Sequence, residues 1–513
     1  MDDLVQAFLL TFLNAENFGY LLVGCALAFL MGLLPGLSAT EAMIILLPFA
    51  FALDLNQSMI MLSAAYASGF VGGSLTSIVF GIPGSTTNMT TMLDGHALHR
   101  KGRTIYAVSV AATSSAVAGI LALLLVIALM PVMEPFSLLF GPAEWFAFVI
   151  FGLVVLAFSG EAPPLRGLMS AGLGLLLATV GLSATTGAPR YTFGVTDLWG
   201  GIPIIATFIA LFPITEALWM SAGRESSIKE DDDGSLRANS GAEAVAGMRD
   251  TFGRFGTLMT GGAIGWIVGV IPGVGATLAN VLAYFIVKDT ARDKSEFGKG
   301  DIRGLIAAES SNNASVAGAL LPALALGIPG SIATAILLSV FMLNGVQPGT
   351  NIFSEHLTTT WVIILAIGGS TVISSLFVMA GAWRIVGQIK KVSPRVIAPI
   401  IIFIGFTAVY LARSNPNDLI IATGLTVLGY LMKLFRFSRI SFVVALMLGT
   451  IVESSYFQAL SIGRGSYGVF LRSPTTWIIW CAILATIALH LWSGRRQRAQ
   501  VRAAASSGRE ADT

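Results

Sequence analysis

Charge is scarce in this chain. Asp, Glu, Lys and Arg together make up 11% of its 513 residues, and apolar residues make up 55%. A water-soluble globular protein carries roughly 25% charge, and the mean hydropathy here is +0.80, which excludes water as the main solvent. Basic residues are missing from the whole first stretch, Arg100 being the first Lys or Arg. That excludes the basic n-region of a cleaved signal peptide and leaves insertion to the membrane spans themselves. The formal net charge is only +2, with no basic stripe and no zinc-type Cys/His spacing, so nucleic-acid binding is excluded. The 2 cysteines, Cys25 and Cys481, both lie in apolar runs and are expected as packed thiols, not as a disulfide. The 4 histidines, His96, His99, His356 and His490, are scattered and suggest neither a metal centre nor a catalytic triad. No G-x-x-x-x-G-K-[ST] run is present, which excludes ATP hydrolysis of the P-loop type. The 56 glycines point to close helix packing and hinges.

What the chain does have is long apolar runs. Runs long enough to cross a bilayer as helices fall at 58–82, 104–131, 143–159, 166–186, 198–221, 304–328, 360–382, 440–458 and 475–493, with shorter ones at 397–412 and 417–432. Two further runs, 18–53 and 256–287, are broken in the middle by Pro35-Gly36 and Pro272-Gly273. Each is either a pair of short crossings or one re-entrant hairpin, and in both cases it begins and ends on the same side. The expected fold is an all-α polytopic membrane protein with about 10–14 membrane segments.

Counting crossings sorts the loops into two sets. One set, at 95–103, 160–166, 222–254, 288–303, 384–396, 433–439 and from 494 onward, holds 26 of the 30 Lys and Arg residues; the other holds Arg190, Arg413, Arg464 and Arg472. Positively charged loops stay in the cytoplasm, so the N-terminus is expected outside and the C-terminus inside. The polar stretch 223–254 suits a flexible cytoplasmic linker between a first half, 1–222, and a second, 255–493, followed by a basic cytoplasmic tail, 494–513.

The halves share motifs. Residues 32–40 (GLLPGLSAT) match 269–277 (GVIPGVGAT), and Gly81-Ile82-Pro83-Gly84-Ser85 recurs as Gly327-Ile328-Pro329-Gly330-Ser331. In the first copy the linker after the Pro-Gly break, 54–57, has no basic residue and the linker after GIPGS carries Arg100, Lys101 and Arg103. In the second copy the order is exchanged: Lys288, Arg292, Lys294, Lys299 and Arg303 follow the break, and 344–359 has none. The two copies are therefore expected to have opposite topology, an inverted repeat of the kind secondary transporters use.

Pro-Gly within a membrane-depth helix removes an amide donor and disfavours helical dihedrals, so the helix unwinds where protein or a wet cavity can satisfy the freed groups. The helix breaks are Pro35 and Gly36, Pro83 and Gly84, Pro272 and Gly273, and Pro329 and Gly330. The half-helices that begin after them present free N–H groups and a positive dipole end, which suit an anion. Small polar residues follow each break: Ser38 and Thr40; Ser85, Thr86, Thr87 and Asn88; Gly275 and Thr277; Ser331 and Thr334. They either cap the half-helices or contact a carboxylate substrate. Glu309, Asn312 and Asn313 lie in a span of otherwise small, apolar character. Polar groups at that depth face a cavity or a partner, and these either hold a coupling ion, Na+ or H+, or bond across helices. Glu41, Glu216 and Glu453 are further carboxylates near span interiors, each a candidate proton carrier or a solvated span end.

These motifs resemble the large membrane subunit of the tripartite tricarboxylate transporters (TctA type). The resemblance rests on 32–102, on 269–331 and on a closing stretch, LGTIVESSYFQALSIGRGSYGVFLRSP at 448–474. Departures are Val71 where the family often has Tyr before Gly-Gly-Ser, Glu41 at a usually uncharged place, and Ser454 after Glu453 where Arg is common. The resemblance implies a secondary transporter in the bacterial inner membrane, working with a small four-helix membrane subunit (TctB type) and a periplasmic solute-binding protein (TctC type). Its cargo would be an organic carboxylate, driven by a sodium or proton gradient through elevator-like or rocking motion. No organic cofactor or transition metal is expected. A stand-alone carboxylate permease or channel is the alternative; a membrane enzyme is disfavoured because no paired catalytic residues lie at membrane depth.

Overall fold

The computed structural model describes residues 2–488 except 35–37, 82, 139–140, 159–161, 184–185, 222–239, 272–274, 328, 347–348, 350–351, 353–354 and 382–393. The tail 494–513, His490 and the breaks Pro35, Gly36, Pro272 and Gly273 lie outside the described residues.

Helices account for most of the described chain. The chain opens with α1 (Asp2–Phe8), α2 (Ala15–Leu33), α3 (Ala39–Ala50), α4 (Leu55–Phe80), α5 (Met89–Arg100) and α6 (Thr104–Leu138). Next come α7 (Pro142–Ala157), α8 (Pro164–Ala178), α9 (Ile204–Ile209), α10 (Thr215–Ser221) and α11 (Ser240–Phe252). Then follow α12 (Phe255–Val270), α13 (Gly275–Thr290), α14 (Ile302–Leu326), α15 (Ile332–Leu343) and α16 (Leu357–Met379). Last are α17 (Pro394–Arg413), α18 (Asn417–Leu434), α19 (Arg439–Ile462) and α20 (Pro474–Ala488). Two-residue strands, Gly181–Leu182 and Pro189–Arg190, pair antiparallel. Among the described residues, five helices are long and apolar enough to cross a bilayer: α2, α4, α6 over Thr104–Val132, α16 and α19. The chain is a multi-pass, all-α membrane protein.

Local chemistry explains where these elements begin and end. Asn14 accepts from the Glu16 and Asn17 amides to start α2, and Asp54 with Gln57 forms a reciprocal capping box at α4. Leu34 and Ile271 leave the helix with nearly the same dihedrals (φ −87°, ψ 119° and φ −80°, ψ 112°), so both broken runs stop at matched positions. Gly81 and Gly327 end α4 and α14 in the left-handed region, at φ 64° and 61°, a conformation that side chains resist. Between α9 and α10 the helix widens to a π-turn over Ala210–Ile214 around Pro213, because the proline withholds an amide from the regular ladder.

The chain forms two compact units that cut across the sequence halves. The first takes Met1–Leu138 and Ile202–Phe435, the second Leu139–Gly201 and Arg436–Thr513. Within the first, α4 packs on α2 and α16, and α14 packs on α12, α13 and α6. Both α4 and α14 are buried along nearly their whole length. For α14, rich in Ser, Asn and Ala, that burial inside other helices makes a polar span tolerable. Glycines set the close approaches: a Cβ on Gly72 would lie 2.4 Å from the Phe29 carbonyl oxygen, and one on Gly318 would lie 2.4 Å from that of Trp266. Within the second unit, α19 packs on α8 and α7, and Phe146, Tyr456, Phe470 and Trp480 form an aromatic cluster with centroids 5.1–6.5 Å from the Phe146 ring.

Two expectations about loops change. The basic stretch 95–103 was expected as a loop, but α5 continues helically to Arg100, with Asp94, Ala97 and Leu98 buried. The segment 223–254 was expected as a flexible linker, yet its described second half is the helix α11, which packs on α6. Gly247 lets it approach the Tyr106 carbonyl, the Tyr106 hydroxyl donates to Asp250 Oδ2 at 2.5 Å, and Ser109 Oγ donates to the Ala244 carbonyl at 2.6 Å. Its Ala- and Gly-rich face supports helix packing that its overall polarity conceals.

Candidate functional site

The polar residues expected after the breaks fall into local caps and long-range contacts. Ser38 starts α3 in a capping box with Glu41: its backbone amide donates to Glu41 Oε2 at 2.7 Å, its hydroxyl donates to the same oxygen, and its Oγ accepts from the Thr40 amide at 3.2 Å. Glu41 therefore works locally at the helix start. Ser331 starts α15 in the same way, its amide donating to Thr334 Oγ1 at 2.8 Å and its Oγ accepting from the Thr334 amide at 3.2 Å.

Ser85 and Ser331 share one backbone geometry, φ −142°, ψ 171° and φ −153°, ψ 171°, each after a left-handed glycine and a Pro-Gly pair. Gly84 and Gly330 also sit alike. A Cβ on Gly84 would meet the Gly73 backbone at 2.6 Å, and one on Gly330 would meet Ala319 at 2.9–3.0 Å, so each loop lies directly on the helix before it.

Two contacts bring the motif regions of the two sequence halves together. Thr86 Oγ1 lies 3.1 Å from Thr277 Oγ1, so the first turn after the second break of copy one meets the first turn of α13. Gly275 begins α13 at φ 74° with open space where a Cβ would stand. The Tyr66 hydroxyl lies 3.0 Å from Ser331 Oγ. Just behind the first contact, Asn280 of α13 accepts from the Thr90 hydroxyl and donates through Nδ2 to the Ala308 carbonyl at 2.8 Å.

A buried polar chain leads inward from Ser85. Ser85 Oγ donates to Asn88 Oδ1 at 2.7 Å, Asn88 Nδ2 donates to Ser74 Oγ at 2.9 Å, and Ser74 Oγ donates to Glu309 Oε2 at 2.9 Å. Thr91 and Ser115 complete the Glu309 shell, donating at 2.6 and 2.8 Å. Glu309 is 1% exposed, and its hydrogen-bond partners among the described residues are all neutral hydroxyls. Hydroxyl donors solvate a carboxylate without cancelling its charge. A cavity of about 10 Å³ adjoins it, lined by Ser74, Ser115 and apolar residues including Val108 and Val378, at the lower limit for one water.

Asn312 and Asn313 are 0% and 3% exposed, and all four of their side-chain polar atoms lack a hydrogen-bond partner among the described residues. Each such atom costs about 1–3 kcal/mol if left unmet. Of the remaining carboxylates, Glu216 pairs with Lys433 at 2.5 Å. Glu453, in the second unit, accepts from both Arg190 terminal nitrogens at 2.9 and 2.8 Å, and these bonds push the Arg190 guanidinium above its ordinary value. Glu453 is thus already neutralised, unlike Glu309. No group of three or more His, Cys, Asp and Glu arranged to hold a metal occurs among the described residues. His96 Nδ1 meets the Ile78 carbonyl at 3.0 Å and His99 Nδ1 meets Thr104 Oγ1 at 2.7 Å.

Sequence reading missed Tyr66, Ser74, Thr91, Ser115 and Asn280, because single hydroxyls and amides inside apolar runs barely change hydropathy. It also missed Asp94. The Asp94 Oδ1 accepts from the Gly298, Gly300 and Asp301 amides at 2.8, 2.8 and 2.9 Å, and its Oδ2 accepts from the Tyr284 hydroxyl at 2.9 Å.

Comparison with known proteins follows the same motifs. Residues 18–444 match the tripartite tricarboxylate transporter TctA family. An Agrobacterium vitis protein described as an "uncharacterized 52.8 kDa protein in TAR-I ttuC' 3'region" is 30% identical over 507 residues, 97% of this chain and 98% of that one. A second from the same organism, an "uncharacterized protein in TAR-II ttuC' 3'region", is 29% identical over 242 residues, 46% of this chain and 98% of its own length. No solved structure matches the chain.

Proposed function

Since the chain belongs to the tripartite tricarboxylate transporter TctA family, we propose that it is the large membrane subunit of an ion-driven importer of an organic carboxylate, fed by a periplasmic binding protein (TctC type) and assembled with a small four-helix subunit (TctB type). The observation that carries this reading is the Thr86–Thr277 contact. It joins two half-helix starts 191 residues apart, both singled out as places where free amides and hydroxyls suit an anion. Thr86 is exposed and Thr277 half-buried, so a carboxylate can replace their mutual bond with bonds of its own. Ser85, Asn88, Gly275, Ser331 and Thr334 form the surrounding candidates, with Ser38 and Thr40 at the matching break of the first copy.

The reading includes an inverted repeat, supported by the exchanged loop charges and by the matched element order α2–α6 and α12–α16. It places the protein in the bacterial inner membrane, N-terminus out and C-terminus in. One repeat unit moving against the other then exposes the site alternately to each side.

The test is uptake of radiolabelled di- and tricarboxylates into proteoliposomes carrying the chain with its small membrane subunit, with and without binding protein. Thr86→Ala with Thr277→Ala is expected to lower uptake at least about tenfold, two lost charge-assisted bonds being each worth roughly 1.5–3 kcal/mol, at unchanged protein abundance. Wild-type uptake in the double variant removes this contact from the site. Uptake without any binding protein supports the stand-alone permease instead, and no uptake of any carboxylate overturns the reading.

A further inference from the structure

Resting on that transporter reading, we propose that a sodium ion binds between Glu309, Asn313 and Ser115, and that the neighbouring Asn312 amide meets the substrate carboxylate. Glu309 and Asn313 are one helical turn apart on α14 and share a face. Opposite them on α6, Ser115 and Gly119 are likewise one turn apart: Ser115 Oγ is bonded to Glu309 Oε2 at 2.8 Å, and a Cβ on Gly119 would stand 3.3 Å from Asn313 Cβ. These four positions enclose a box between two helices. The glycine leaves one corner without a side chain.

The box brings together a carboxylate without a basic partner, a hydroxyl oxygen and the Asn313 amide, which has no partner among the described residues, stands with Nδ2 3.8 Å from the place of a Gly119 Cβ and presents its oxygen to a cation by turning about its last bond. A hard cation takes oxygen ligands of this kind, and a buried charge calls for an opposite one. Asn313 Oδ1 gains a ligand bond in this arrangement, and Ser115 keeps its proton on Glu309 while offering a lone pair.

Asn312 points elsewhere, about 100° further round the helix. It stands 19 residues before Ser331, as Tyr66 stands 19 before Ser85, so the two occupy matching places in the copies. Tyr66 reaches across to Ser331, the break serine of the other copy. By the same relation we assign Asn312 to the side of Ser85; its side chain is shorter by an aromatic ring and makes no bond among the described residues. An anionic group bound at the break loop would supply the partner that the buried Asn312 amide lacks. Adjacent residues then serve ion and substrate, so each ligand, once bound, favours the other, as a symporter requires.

The experiment uses the purified full chain in detergent and follows its melting temperature in sodium, potassium and choline chloride at equal ionic strength, without carboxylate. Sodium alone is expected to raise it. Glu309→Gln and Asn313→Leu should raise the half-maximal sodium concentration at least about tenfold. Gly119→Ala keeps every ligand but crowds Asn313, and should weaken sodium by a smaller factor, which covers the case in which the ligand variants fail to fold. Asn312→Leu should leave the sodium response intact while weakening carboxylate uptake. Equal melting temperatures in all three salts, or a sodium response unchanged in Glu309→Gln and Asn313→Leu, overturns the site even if carboxylate uptake is found. A sodium response without uptake of any carboxylate leaves the ion site standing and sinks the transport reading.

Discussion

The Tyr66 hydroxyl lies 3.0 Å from the Oγ of Ser331, so α4 in the first half of the sequence touches the serine that starts α15 in the second. Ser331 already has its reciprocal cap with Thr334, and the Tyr66 bond is therefore additional to helix formation. It links two halves that share motifs but no sequence proximity.

Tyr66→Phe removes that bond and keeps the ring. The expected cost is about 1 kcal/mol of stability, with intact membrane abundance and lowered carboxylate uptake. Thermal unfolding of the purified chain and initial uptake rates check both; wild-type values in both assays mean the contact is incidental.

Asp94 ties α5 to the loop before α14 through three backbone amides and to α13 through Tyr284. Asp94→Ala strands three amides and a buried hydroxyl, a loss of several times the roughly 1–3 kcal/mol of one unmet group. Asp94→Asn retains an oxygen for the three amides. The alanine variant should therefore be depleted from the membrane fraction and the asparagine variant close to normal, as quantitative immunoblotting would show. Equal abundance of the two argues against this role.

Gly84 and Gly330 answer to different neighbours. Gly84→Ala drives a methyl into the Gly73 backbone at 2.6 Å, where nothing can give, whereas Gly330→Ala meets Ala319 at 2.9 Å. Overpacking costs typically about 1–3 kcal/mol, with Gly84→Ala at the upper end. Pairing Gly330→Ala with Ala319→Gly should restore part of the lost stability, and melting temperatures of the three variants decide it. No recovery in the pair places the conflict in the backbone alone.

Arg190 and Glu453 form a two-bond ion pair in the second unit, with side chains 31% and 14% exposed. A double-mutant cycle on Arg190→Ala and Glu453→Ala should give a coupling of about 1 kcal/mol, discounted for that exposure. Glu453→Gln should transport with unchanged ion dependence, since the paired carboxylate has no free charge to offer. A shift in ion dependence on that substitution would restore Glu453 as a coupling candidate.

The membrane character, the helical fold, the repeated motifs and the family were legible in the sequence because each rests on properties that a linear pattern carries. Apolar length sets the spans, as with 304–328 against α14 at Ile302–Leu326, and Pro-Gly marks the helix ends at Leu33 and Val270. Capping chemistry is local too, which is why Ser38, Ser331 and Thr334 sit where short-range rules put them. What only the tertiary structure decided is which polar groups meet. Ser74, Thr91 and Ser115 come from three helices to surround Glu309. Thr86 and Thr277 meet across 191 positions, and Glu216, Glu309 and Glu453, alike in sequence, differ in whether a cation faces them. Such pairings depend on helix rotation and on glycine-controlled approach distance, and neither is written in the order of residues along the chain.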